Sequence, residues 1–314
     1  MRAVESLSDR IDRFLSWKRS LGYKYARAEL WLRAFDRFAH AHSKAPLDQL
    51  IQSWLARNSA RKPVTVALEL SVFRQFCAYL SRRDPTVIVP TRSWAPQSTA
   101  SDFLPHVLEV RNVKKLLRLA DQLRRPRFRR PMYRALLLVL YCTGVRFGEA
   151  VRLQLRDLDL RHGVLWVAES KGRSRWVPFH SSLCRELRRY LVERCRYAPV
   201  APTDALFPRP NGTPVRVQTA SLTVCTLLRR AGLKPAAGRV GPRPYDLRHT
   251  FAVHRMVRWY KAGIDVHARL PWLSAYMGHD DILGTETYLT ATPQLLELAA
   301  RRLKHRLSLH TRRS

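Results

Sequence analysis

Tyr245-Asp246-Leu247-Arg248-His249-Thr250-Phe251 is the stretch on which the reading of this chain turns. The pattern predicts a helix over 246–261, with Tyr245 and Arg248 three residues apart on its opening turn and so on one face. Downstream, a shorter predicted helix over 270–277 closes at Met277-Gly278-His279, and Tyr288 follows nine residues after that histidine. Far upstream, Thr143-Gly144-Val145-Arg146-Phe147-Gly148-Glu149 joins an apolar helical pattern to the start of the next helix. Attack on a phosphodiester needs a nucleophile, cations on the non-bridging oxygens and an acid for the leaving oxygen. Two arginines, a histidine and a tyrosine in this order supply parts of that kind.

Arginine suits phosphate because its planar fork offers two parallel hydrogen bonds and keeps its charge. With 57 Lys and Arg in 314 residues, a single arginine carries little information, and most are solvated surface charges. Arg146 is set apart by its place after a Thr-Gly turn at the mouth of a helix, with Glu149 three residues on to hold or orient it.

The sequence resembles the tyrosine recombinase (phage integrase) family. Thr143-Gly144-x-Arg146-x-x-Glu149, continued by Leu153 and Asp157, is similar to the box of that family's first catalytic arginine, and Arg248-His249-Thr250-Phe251-Ala252 to the second. Leu273-x-x-x-Met277-Gly278-His279 resembles the box of its phosphate-binding or base histidine. Thr285-Glu286-Thr287-Tyr288 has the form and distance of its nucleophile box, a frame that Tyr260 and Tyr276 lack. Lys171, in Glu169-Ser170-Lys171-Gly172-Arg173-Ser174-Arg175-Trp176-Val177-Pro178, resembles the hairpin lysine that protonates the leaving 5′ oxygen, with Arg173 and Arg175 as near competitors in a shortened hairpin. The family's second box usually opens with histidine, where this chain has Tyr245. A phenol can donate a hydrogen bond to phosphate but does not titrate near neutrality as imidazole does, so Tyr245 either positions phosphate or merely packs. His249 fits a structural hydrogen bond better than a catalytic one.

The resemblance implies a catalytic set of Arg146, Lys171, Arg248, His279 and Tyr288, with Tyr245 as a sixth member. It implies a mechanism in which Tyr288 forms a 3′-phosphotyrosyl link and frees a 5′ hydroxyl. A free phenol, with a pKa of about 10, is a poor nucleophile until cations lower that value. The energy stays in the ester, so neither a cofactor nor a metal is expected, and no spaced acidic triad of the two-metal type is found. Strand exchange between two duplexes implies four active sites, hence a homo-tetramer on double-stranded DNA or a hetero-assembly with other recombinases. Pro293–Ala300 is then either a helix docked into a neighbouring protomer or one packed on its own domain. Tyr288-Leu289-Thr290-Ala291-Thr292-Pro293 looks more like the transposon and integrative-element branch than the chromosome-dimer-resolving branch.

Composition agrees with a nucleic-acid partner. Against the 57 basic residues stand 24 Asp and Glu, a net charge of +33 spread over the whole length. An extended basic surface on a folded protein points to a polyanion, with binding that weakens steeply as salt rises. Hydrophobic residues make up 46% of the chain, which excludes wholesale disorder. No apolar run reaches the roughly 20 residues of a membrane span, Ala135–Tyr141 being far too short, and 1–18 lacks the apolar core of a secretory signal. The five cysteines form no CxxC pair and read as buried free thiols, which places the protein in a reducing cytoplasm.

Periodicity divides the chain. Residues 1–83 carry four helical patterns and no strand: Ile11, Phe14, Leu15 and Lys18 share one face, and 64–80 is strongly amphipathic. Residues 84–103, with Pro85, Pro90 and Pro96, read as a basic linker. From 104 to 314 the pattern is helical apart from two short strands, 164–167 and 175–178, around the Lys171 hairpin, and it ends in a helix over 293–303 and an arginine-rich tail. The expected fold class is mainly α with a small antiparallel sheet. By resemblance the first part is a helical core-binding domain that clamps DNA, and the second the catalytic domain. Two rivals share part of this evidence: a type IB topoisomerase, with similar chemistry but no partner exchange, and a DNA-binding accessory protein without catalysis. The N-terminal helices and the Thr-Gly-x-Arg-x-x-Glu box favour the recombinase.

Overall fold

The computed structural model describes residues 6–279, apart from 43–44, 58–59, 97–105, 125, 171–172, 198–202, 210 and 239, together with 295, 297, 298, 300 and 301. The chain divides into two compact units, Met1–Phe103 and Leu104–Ser314. It is mainly helical with one small antiparallel sheet, the fold class the sequence predicts.

The first unit holds α1 (Leu7–Ser20), α2 (Ala26–Ala41), α3 (Leu47–Ala56) and α4 (Pro63–Leu80). Ser6 caps α1 by accepting the Asp9 N–H, and proline opens α4 where its missing N–H is no loss. The apolar stripes meet in a core of Ile11, Phe14, Leu32, Phe35, Ile51, Phe73 and Phe76, with Phe35 edge-on to Phe73 at 4.8 Å. Lys18 shares that face without being apolar. Its ammonium lies 4.9 to 5.7 Å from the centroids of Phe14, Trp17, Tyr23 and Tyr25 and donates to Gln75 at 2.8 Å. Burial, with Arg82 nearby, holds its pKa below the ordinary lysine range.

The predicted linker is not bare in its described part. Val87 and Trp94 pack against the first unit's core and Ala95 is buried there, with a short 3₁₀ turn over Arg92–Trp94. Its prolines signal a break in helix, but its apolar residues still find a surface to cover.

The second unit contains α5 (Val110–Asp121), α6 (Arg129–Thr143), α7 (Phe147–Arg152), β1 (Leu158–Asp159), β2 (Val164–Ser170), β3 (Arg173–Pro178), α8 (Ser181–Tyr197), α9 (Val217–Arg230), α10 (Asp246–Lys261) and α11 (Val266–Met277). Helix α6 carries Arg129, Arg130 and Arg134 in its first half and is apolar from Ala135 to Cys142; it is buried along most of its length and packs on α5, α8 and α10. The sheet has the order β1-β2-β3, with Leu165 opposite Val177, Trp166 opposite Trp176 and Val167 opposite Arg175. Leu165, Val167 and Val177 face the core and Trp176 faces solvent, so alternation turns Arg175 inward.

Helix α11 starts four residues before the predicted 270, because Asp265 caps it by accepting the N–H groups of His267 and Ala268 and the helix carries Pro271 within it. Helices α10 and α11 share a third apolar cluster that buries Leu295 and takes Leu298 at its edge. Of the two options for 293–300, the described residues therefore pack on their own domain. Among the described cysteines Cys77 and Cys184 are buried, Cys142 and Cys225 half-buried and Cys195 exposed, the last a departure from the buried-thiol expectation. Burial pushes the Cys77 thiol up to about 12. No helix among the described residues is long and apolar enough to cross a membrane.

Candidate active site

The site is built where α6, α7, β3, α10 and α11 meet. Helix α6 ends at Gly144, whose φ of +63° turns the chain into α7; a Cβ there would lie 2.2 Å from the Phe251 ring. The turn delivers Arg146 to the N-cap of α7. Its backbone N–H and its Nη1 both donate to the Glu149 carboxylate at 2.8 Å, and its Nη2 donates to the Gly278 carbonyl. Glu149 is buried, so this ion pair is shielded from water and fixes the guanidinium in direction.

Arg248 reaches the same place from α10. It is 1% exposed, among the largest fully buried side chains of the described residues. Nη1 donates to the Gly144 carbonyl and Nη2 to the Met277 carbonyl, each at 2.8 Å. Arg175 adds a third guanidinium from β3: Nε donates to the Tyr276 carbonyl at 3.0 Å and Nη2 to Glu149 at 2.8 Å. Three arginines thus bind the consecutive carbonyls 276, 277 and 278 at the end of α11, where a helix leaves carbonyls without intrahelical partners and its dipole favours cations. Gly278, at φ +69°, closes the helix, and half-buried His279 follows it, its N–H donating to the Ser274 carbonyl.

Arg146, Arg248 and His279 are accordingly brought to one end of α11. Tyr245 stands just before α10, more than a third exposed, with its ring edge-on to His249 at 4.9 Å. Lys171 and Tyr288 lie outside the described residues. Arg175 was visible in the sequence only as a competitor for the role of Lys171. The available signal was alternation: residues 175 and 177 share a face, and Val177 belongs to the core.

His249 is buried beside Asp246, its Nε2 3.7 Å from a carboxylate oxygen. Burial drives its pKa down to about 4; Asp246 opposes the shift, while Arg243 and Arg248 reinforce it. It is neutral at physiological pH, which fits a structural role. Between pH 6.5 and about 4 the unfolded chain takes up a proton here that the folded chain does not. This contribution to stability is present above 6.5 and is lost as pH falls toward 4, at up to roughly 1.4 kcal/mol per pH unit. Wild type should therefore lose more melting temperature than His249→Gln between pH 7 and pH 4.5. Parallel curves for the two proteins would sink that assignment.

Among the described residues no group of three or more His, Cys, Asp or Glu is placed to hold a metal ion. What the arrangement offers is fixed, partly buried cations at the point where the chain leaves α11.

Residues 106–294 match the model of the phage integrase family. A Sinorhizobium fredii protein described as integrase/recombinase y4rB is 33% identical over 303 residues, 94% of this chain and 96% of that protein. The tyrosine recombinase XerC of a Roseiflexus species is 31% identical over 227 residues, 71% of this chain and 67% of its own length. Among solved structures, the Tn1549 transposon integrase in complex with circular intermediate DNA aligns with a TM-score of 0.65 at 18% identity, over 94% of this chain and 99% of that one. A lambda integrase tetramer bound to a Holliday junction aligns with a TM-score of 0.66 at 17% identity, over 91% of this chain and 78% of that one. At those identities the last two speak for the fold.

Proposed function

The chain belongs to the phage integrase family, whose members cut and rejoin DNA, and from that premise we propose that it is a site-specific recombinase working through a 3′-phosphotyrosyl intermediate on double-stranded DNA. The observation that carries the reading is the convergence of Arg146 and Arg248 on the carbonyls of Gly278 and Met277, directly before His279. In this mechanism the phenolic oxygen of Tyr288 attacks the scissile phosphorus and the bond to the 5′ oxygen breaks. Arg146 and Arg248 stabilise the charge that develops on the non-bridging oxygens. Lys171 protonates the departing 5′ oxygen, and His279 takes the phenol proton or donates to phosphate. Tyr245 contributes a phosphate hydrogen bond. A 5′ hydroxyl from a partner strand reverses the attack and restores the phosphodiester, so the reaction balances without ATP or metal.

Residues 1–83 act in this reading as a core-binding clamp, joined through 84–103 to a catalytic domain over 104–314. The assembly is a homo-tetramer on DNA, a state named for the lambda integrase structure of the same fold, or a hetero-assembly with other recombinases. The biological role is integration or transposition of a mobile element, supported by the pattern from Tyr288 to Pro293 and by the fold shared with a transposon integrase.

The test is covalent trapping. Nicked duplex fragments tiling the DNA around the gene are mixed with protein, denatured in SDS and examined for a protein–DNA adduct. Wild type should form one and Tyr288→Phe should not, with both binding DNA equally. Binding without an adduct on any fragment would favour the accessory-protein reading, and an adduct that survives Tyr288→Phe would mean another nucleophile.

A further inference from the structure

Arg146 and Arg248 sit at helix starts, but Arg175 comes from the sheet. Its register opposite Val167 places it on the inward face, with Val177 two residues on. From there one side chain makes three links. Nη2 and Nη1 donate to the Glu149 carboxylate at 2.8 and 3.4 Å, and Nε donates to the Tyr276 carbonyl at 3.0 Å. The same buried carboxylate accepts both the backbone N–H and the side chain of Arg146. The guanidinium also lies so close over Gly278 that a Cβ at that position would come within 2.8 Å of Nη1.

We propose that Arg175 is a positioning residue for strand cleavage: it fixes the end of α11 against the Arg146–Glu149 pair, and so sets where His279 and the chain toward Tyr288 begin. The inference rests on the phosphotyrosyl reading above. Its physical basis is the planar fork, which holds a carboxylate with one edge and a carbonyl with Nε at a fixed angle. Removing it leaves Glu149 buried with one fewer cation and frees the last turn of α11 to shift. Misplacement of reacting groups by about 1 Å lowers a rate by roughly a hundredfold. DNA affinity, by contrast, is summed over many phosphate contacts elsewhere on the basic surface.

The experiment measures adduct formation at saturating protein, DNA affinity and melting temperature for wild type, Arg175→Met and Arg175→Lys, on the fragment that traps the wild type. Arg175→Met should form adduct roughly 10- to 100-fold more slowly with Kd within about twofold of wild type. Arg175→Lys should fall between them, because an ammonium reaches Glu149 but has no rigid second edge for the Tyr276 carbonyl. An unchanged rate in Arg175→Met would overturn the proposal while leaving the recombinase reading intact. So would a parallel loss of affinity, rate and melting temperature with no benefit from lysine, which marks a residue that only supports the fold. A wild type that traps no fragment removes the premise and this inference together.

Discussion

Arg248→Met should abolish covalent capture of DNA and lower stability together, because the side chain proposed to meet the phosphate is also the one that ties two buried segments together. Its two Nη groups bind the carbonyls of Gly144 and Met277, which lie on different segments of the second unit. Methionine fills much of the volume but offers no donor. Two buried carbonyls are then unpaired at about 1 to 3 kcal/mol each, a sum of roughly 2 to 6 kcal/mol. Removing one preorganised donor to a developing oxyanion lowers rates by about a hundred- to a thousandfold. The adduct rate should fall at least that far even at temperatures where Arg248→Met remains folded. Arg248→Lys should fare little better, since a point charge does not span two carbonyls as a planar fork does. Full capture activity in either variant would remove Arg248 from the site.

Gly144→Ala should give the largest loss of stability from a single methyl group. Two independent effects act there. The backbone stands at φ +63°, a region that costs a non-glycine residue about 1 to 2 kcal/mol. The new Cβ would also sit 2.2 Å from Cδ1 of Phe251, a contact that forces the ring or the turn to move, at about 1 to 3 kcal/mol. The total is roughly 2 to 5 kcal/mol by chemical denaturation, and the displaced turn carries Arg146. Adding Phe251→Leu should recover the steric part and leave the backbone part, so the pair is non-additive. A Gly144→Ala protein as stable as wild type would contradict the geometry of this turn.

Much of this architecture was legible in the sequence because it rests on short-range rules. The helical stripes around Phe14, Leu32 and Phe73 point to one core, and the glycines of Thr143-Gly144 and Met277-Gly278 mark helix ends that only a left-handed residue closes. Arg146 stood out by its setting after Gly144, and Arg248 by its place on the opening turn of a predicted helix, three residues after Tyr245. Arg175 did not, since its importance comes from sheet register and from a carbonyl about a hundred residues away, which no local pattern encodes. Lys18 was placed on the buried face of α1 by its spacing, but the four rings that receive it come from different turns of the chain. The predicted start of α11 at 270 falls one turn late, because the helix begins at Val266 where Asp265 supplies the cap. The packing of Val87 and Trp94 was hidden by the prolines around them.

The nucleophile is identified by digesting the trapped complex and finding, by mass spectrometry, the residue that carries the DNA. A single modified peptide is expected, in which Tyr288 bears a nucleotide through its 3′ phosphate, while Tyr245, Tyr260 and Tyr276 are unmodified. DNA on any other side chain, or joined through a 5′ phosphate, would contradict this assignment.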